Sequence, residues 1–225
     1  MSYQESYFTE RESWLDWRIE ARELIRLAHV NQGTRVLELG CGGGGLLRML
    51  HERGAFAVGV DTLETALKLA SESLTKHDPK RSAESIHPPL TRIGVSDSLP
   101  FSVSSFDSII GQHVIEHLPN TSAALHEWRR LLKPTGRLML ATPNGLYPDP
   151  SHFADADHTH VFTPNELRDL VEQAGFVVES CYTIFPFLSR ARLLRGVSLM
   201  TYYLFRYVHY FPMRGRTIVL VAKKN

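Results

Sequence analysis

The feature that most constrains this chain is a glycine-rich run, Glu38-Leu39-Gly40-Cys41-Gly42-Gly43-Gly44-Gly45, set between a strand-like stretch, TRVLEL (34–39), and a helix-like one, GLLRMLHERG (45–54). Glycines there let the backbone turn sharply and let a ligand approach the main chain where the next helix begins. Gly40, Gly42 and Gly45 keep the G-x-G-x-x-G spacing of dinucleotide-binding folds, and Asp61 closes the next strand, placed to hydrogen-bond ribose hydroxyls. Glu38 discriminates among ligands. A carboxylate just before the turn would repel a pyrophosphate, whereas it favours a ligand carrying an ammonium and a sulfonium.

The rest of the chain repeats the strand–helix rhythm. AVGVD (57–61) is followed by a helical pattern over 63–77 and a polar, proline-containing loop over 78–89. Strands over 90–97 and 106–113, a helix over 121–134 with Thr121 as N-cap, and a strand over 136–143 come next. Continuously apolar strands joined by helices predict a parallel sheet covered on both faces. Thr163-Pro164 opens a further helix ending near Gly175, and two strands, 176–184 and 216–224, close the chain. One amphipathic helix over 9–30 precedes everything. With 225 residues, 43% hydrophobic and 22% charged, the expectation is an α/β domain over 33–225 preceded by a helical segment at 1–32. Insertions at 144–162 and 185–215 are expected to face the substrate. Two cysteines, no basic-then-apolar start and no long apolar run point to the cytoplasm.

Charge is distributed unevenly. Residues 180–225 carry +8 with no acidic residue, which leaves −7 on the remainder. Within 193–211, Arg195, Ser198, Tyr202, Arg206 and His209 share one side of a helical wheel on a broad apolar body. Such a helix can contact a lipid surface peripherally or lid an apolar substrate; it can equally pack on the core with its arginines reaching water. The acidic body, with no second RNA-binding module, argues against a nucleic-acid partner.

The order and spacing of five segments resemble the class I S-adenosylmethionine-dependent methyltransferases, type 11-like and similar to the ubiquinone-biosynthesis O-methyltransferases. The segments are VLELGCGGGG, VGVD, SDSLPF (96–101), FDSIIGQHVIEHL and RLLKPTGRLMLATPN, and the likeness runs from about residue 33 to 183. It implies a Rossmann-like, seven-stranded, mostly parallel sheet with helices on both faces and an antiparallel last strand. It also implies S-adenosyl-L-methionine as cofactor and a small organic acceptor, apolar or anionic, methylated on oxygen, nitrogen or carbon. By the same resemblance Gly40, Cys41 and Gly42 would meet the methionine part through backbone, with Glu38 orienting its ammonium group. Asp61 would accept from the ribose hydroxyls and Thr62 would line the adenine side. Asp97 would meet the adenine amino group, with Ser98 and Leu99 beside it. Gln112 and His113 would flank the methyl-donor end. Cys41 reads as a small turn residue rather than a nucleophile.

His113-Val-Ile-Glu116-His117 matches the H-x-x-E-H of inverted zincins, but it follows a strand inside a methyltransferase pattern, which removes the metalloprotease reading. The same positions correspond to the E-x-x-E-H metal ligands of ubiquinone-biosynthesis O-methyltransferases and of small-RNA 3′-end 2′-O-methyltransferases. DHTHVFT (157–163) resembles the segment that supplies a further histidine in the second group, so His158 or His160 would complete a set. His113 stands where those groups have Glu, which disfavours Mg²⁺, and the expectation is a metal-free pocket wall. His113, His117 and His158 are the candidate catalytic residues, with His117 or His158 as general base. Two alternatives stay open: a metal-assisted RNA 2′-O-methyltransferase, and a regulatory domain that binds the cofactor without turnover.

Overall fold

A computed structural model describes residues 5–77, 90–94, 98–147, 157–185, 197, 200 and 214–225. Seven strands form one sheet in the order β3-β2-β1-β4-β5-β7-β6. They are β1 (Arg35–Leu39), β2 (Phe56–Asp61), β3 (Leu90–Arg92), β4 (Phe106–Gln112), β5 (Leu132–Pro143), β6 (Phe176–Ile184) and β7 (Thr217–Lys224). β1 to β5 pair in parallel, while β7 runs antiparallel to both β5 and β6, so the antiparallel last strand is confirmed. The helices are α1 (Glu5–Ser13), α2 (Leu15–Leu27), α3 (Gly45–His51), α4 (Glu64–His77), α5 (Thr121–Leu131) and α6 (Pro164–Gln173), with a short 3₁₀ turn at Ile115–His117.

The strands are apolar on both faces because each face has its own core, as side-chain alternation requires. Leu37, Leu39, Ile109, Leu138 and Leu140 point to one side, where Trp128 and Leu125 of α5 and Leu167 of α6 cover them. Val36, Ile110, Met139, Ala141 and Val221 point to the other, beneath Leu24 and Ile25 of α2 and Leu47 of α3. The N-terminal segment is therefore built onto the sheet. Among the described residues, no helix is long and apolar enough to cross a membrane.

Several expected boundaries move, each for a local reason. The single helix over 9–30 is two helices, broken at Trp14, whose backbone is extended at φ −70°, ψ 137°. The N-cap of α5 is Asn120 rather than Thr121, its side chain accepting from the Ala123 N–H at 3.0 Å. That helix stops at Leu131, short of the expected 134, because Leu132 is extended at φ −70°, ψ 138°, and the chain passes directly into β5, which carries Pro134. The strand expected over 90–97 is limited to Leu90–Arg92 among described residues. The Thr163 expectation holds as a capping box with Glu166. The loop over 78–89, Asp97 and nearly all of the 193–211 helix lie outside the described residues; Val197 and Met200 of that helix are exposed.

Candidate active site

β1 and β4 are neighbours, but the strand order departs from them in opposite directions. In an open parallel sheet the ligand crevice lies past the carboxyl ends of such a pair. The glycine turn follows Leu39 there, and His113–His117 follows Gln112. The two meet at Gly40: its φ is +62°, and a Cβ on it would stand 2.6 Å from Val114 Cγ2. No other residue fits that position without displacing one wall of the crevice.

Acidic side chains surround the turn. Asp61, at the end of β2, accepts from the Gly42 N–H at 3.0 Å and the Leu63 N–H at 2.9 Å. Glu38 is buried, and its Oε2 has no hydrogen-bond partner. Burial first, then the nearby Glu12 and Asp61 carboxylates, push its carboxyl well above the usual range. An orphaned buried oxygen among like charges is costly alone and favourable beside a cation, so these residues fit the ammonium and sulfonium of S-adenosylmethionine. Burial likewise pushes the Cys41 thiol well up, with Glu38 and Asp61 adding to it, so the thiol is inert. Thr62 is exposed just past Asp61.

Two sequence-predicted contacts are otherwise engaged. Ser98 is exposed, but Leu99 is buried in the core, its N–H donating to Glu127 Oε1 at 2.8 Å and its carbonyl accepting from Arg130 at 3.2 Å. Leu99 thus anchors its loop to α5. Gln112 donates to Glu20 Oε2 at 3.1 Å. Glu20 itself was missed by sequence reasoning, although Asp16, Glu20 and Leu24 recur every four residues on the buried face of α2.

Glu20 organises the far wall. Its Oε2 meets His113 Nε2 at 2.9 Å and its Oε1 accepts from the Thr217 hydroxyl at 2.7 Å. Burial would raise the Glu20 carboxyl, but His113, Arg216 and Thr217 bring it down to about 2. Burial would lower His113, yet Glu20 and Glu116 raise it to about 8. The other ring nitrogen, Nδ1, lies 3.3 Å from Glu116 Oε1. Two carboxylates around one imidazole favour its cation at neutral pH.

His117 is held differently. Its Nδ1 lies 3.0 Å from the Asp157 carbonyl, which only accepts, so Nδ1 carries a proton and Nε2 is the ring nitrogen left to exchange one. His158 stands beside it with ring centroids 4.9 Å apart. The loop bearing His158 is tied to the 3₁₀ turn by Thr159 and His160 N–H groups donating to the Glu116 carbonyl. Glu116 is fully buried and accepts the Thr142 hydroxyl at 2.9 Å. Donor atoms of Glu116, His117 and His158 all lie within 4.8 Å of one another. The His160 ring instead packs on Phe162 at 4.4 Å.

A doubly wound sheet with a carboxylate-rimmed glycine turn at its switch point is the architecture of a nucleoside-binding α/β enzyme and suits a cationic ligand. Residues 8–181 match the family model described as a methyltransferase domain, and the chain belongs to that family. It is an S-adenosylmethionine-dependent methyltransferase of class I. It is similar to a ubiquinone biosynthesis O-methyltransferase of Dinoroseobacter shibae, 32% identical over 160 residues, which are 64% of this chain and 60% of that protein. A protein of the same description from Alkalilimnicola ehrlichii is 28% identical over 226 residues, covering 87% of this chain and 86% of the relative. Among solved structures, a SAM-dependent methyltransferase from Aquifex aeolicus covers 100% of both chains with a TM-score of 0.66 at 15% identity, a likeness of fold. A putative sarcosine dimethylglycine methyltransferase from Galdieria sulphuraria gives the same TM-score at 16% identity over 92% of this chain and 84% of that one.

Proposed function

We propose that this methyltransferase acts on oxygen, methylating a hydroxyl of a small, largely apolar organic molecule. The observation that carries the reading is His117 on the turn that follows β4, its Nδ1 held by the Asp157 carbonyl so that Nε2 is the nitrogen available to take a proton. Its relatives from D. shibae and A. ehrlichii are described as O-methyltransferases. Glu38, Asp61 and the backbone of Gly40 to Gly42 hold the donor. Bound there, S-adenosylmethionine would supply an electrophilic methyl group to the acceptor oxygen, and His117 Nε2 would take the proton that the hydroxyl gives up. His113, fixed as a cation between Glu20 and Glu116, keeps the wall beside β4 rigid and offsets its negative charge.

Two measurements test this. Asp61→Ala weakens S-adenosylmethionine binding by about tenfold or more, as loss of charge-assisted hydrogen bonds predicts, and unchanged affinity in calorimetry refutes the donor site. His117→Gln leaves that affinity intact and slows transfer from methyl-labelled donor to a phenol or alcohol panel by about 10²-fold or more. Labelling confined to amines, or to small RNA, would overturn the oxygen assignment.

A second reading rests on the 4.8 Å grouping of Glu116, His117 and His158. Two imidazoles and a carboxylate suit Zn²⁺ or Mn²⁺ better than Mg²⁺, and an ion there would supply Lewis-acid polarisation of the acceptor hydroxyl. Metal analysis of the purified protein separates the two: a stoichiometric ion makes His117 a ligand instead of a base.

A further inference from the structure

Thr159 separates two histidines of DHTHVFT (157–163), and it grips the turn that carries His117. Its N–H donates to the Glu116 carbonyl at 2.8 Å, and the His160 N–H donates to the same oxygen at 3.1 Å. Two donors fill the two lone pairs of that carbonyl. The Thr159 hydroxyl lies 2.9 Å from the Glu116 carbonyl oxygen and 2.9 Å from that of Leu118, with a single proton to give. Since Glu116 is already served, the hydroxyl donates to Leu118. Thr159 therefore holds the main chain on both sides of His117, by its N–H at residue 116 and by its hydroxyl at residue 118. The two residues before it reach the ring itself. The Asp157 carbonyl lies 3.0 Å from Nδ1, and the His158 ring stands 4.9 Å away between centroids. One short segment thus fixes both the backbone and the ring of a single histidine.

We propose that Thr159 is a positioning residue for methyl transfer: its hydroxyl locks the 157–160 segment onto the 3₁₀ turn, so that the Asp157 carbonyl holds His117 Nδ1 and Nε2 is kept for the acceptor's proton. The proposal rests on the reading of His117 as the group that takes that proton, and adds what sets its ring. Thr159 acts only through His117. The turn is three residues long, and the carbonyl that meets the ring comes from a loop 40 residues further on. Such a carbonyl orients an imidazole only if its own loop is held in place. A β-branched side chain suits that task, because few rotamers are lost when its hydroxyl is fixed. Thr159 is itself exposed, so the side chain is not there to fill the core. What it supplies is direction, and a proton acceptor displaced by about 1 Å slows a reaction by up to about 10²-fold.

The test compares full-length wild type, Thr159→Val, Thr159→Ser, His117→Gln and the double variant Thr159→Val/His117→Gln. Valine keeps the shape and the backbone N–H but has no hydroxyl, while serine keeps the hydroxyl without the methyl. Transfer from methyl-labelled S-adenosylmethionine is followed with the phenol or alcohol that wild type methylates fastest. Thr159→Val should lower kcat by about five- to tenfold and leave the KM for S-adenosylmethionine within about twofold. Serine should recover to within about twofold of wild type. Once His117 is glutamine, valine should add no more than about a twofold loss, because the two residues act as one. Nitrogen-15 NMR at alkaline pH gives a readout free of turnover, with the His117 signals identified by their disappearance in His117→Gln. Wild type and Thr159→Ser should show one tautomer protonated at Nδ1, and Thr159→Val a mixture of two. Unchanged rates and tautomer signals in Thr159→Val overturn the proposal. So does a serine variant as slow as valine, or a valine loss undiminished in the His117→Gln background. Wild type that methylates no hydroxyl defeats the oxygen reading instead, and the tautomer comparison still decides whether Thr159 sets the ring.

Discussion

Glu38 shows how a binding site can be written as an instability of the free protein. Its folded carboxyl is held above the usual range by burial and by Glu12 and Asp61, with the Leu47 backbone and Arg11 opposing. A raised carboxyl in the folded state leaves stability whole below its unfolded value, near pH 4.5, and removes it as pH rises through the folded value. Glu38→Gln escapes that loss. Its melting temperature relative to wild type should therefore climb as pH rises from 5 to 8 without ligand, while its affinity for S-adenosylmethionine falls. A melting difference that stays flat across that range would mean that Glu38 is not an uncompensated charge. Gly40 obeys the same economy of space, since a Cβ there would meet Val114.

At the scale of elements, α2 does more than cover the sheet. Its Asp16 pairs with Arg216 at 2.8 Å and its Glu20 joins His113 and Thr217, so one helix face clamps the end of β4 to the start of β7. Removing one partner of a buried charge pair strands the others. Glu20→Ala should cost ~3–5 kcal/mol of stability in urea unfolding and should shift the His113 ring signals in NMR spectra. A loss below ~1 kcal/mol would mark the cluster as solvated rather than buried. The break at Trp14 divides the labour, with α2 holding the sheet and α1, whose Glu12 accepts from the Gly45 N–H at 3.0 Å, holding the turn.

For the molecule as a whole, the sheet and the glycine turn were legible because their signals are local. Apolar strand runs, the glycine spacing, Asp61 at a strand end and the Thr163 cap each reside within a few residues of sequence, where backbone geometry and hydrophobic periodicity act directly. Glu12 and Glu20 were not legible in this way. Each reads as one more charge on an amphipathic helix, and what gives it a place beside the turn or the end of β4 is a partner 33 or 93 residues away. Likewise HVIEH read as one possible ligand set, and the packing divided it into an imidazole clamped by Glu20 at His113, a buried acceptor at Glu116 and a ring held by the Asp157 carbonyl at His117. The sequence by itself determined which chain segments become strands and where the turn falls, since those depend on neighbours along the chain. Only the tertiary structure decided which charges share a site, because electrostatic environment depends on distance through space, and the strand order and the kink between two helices set those distances.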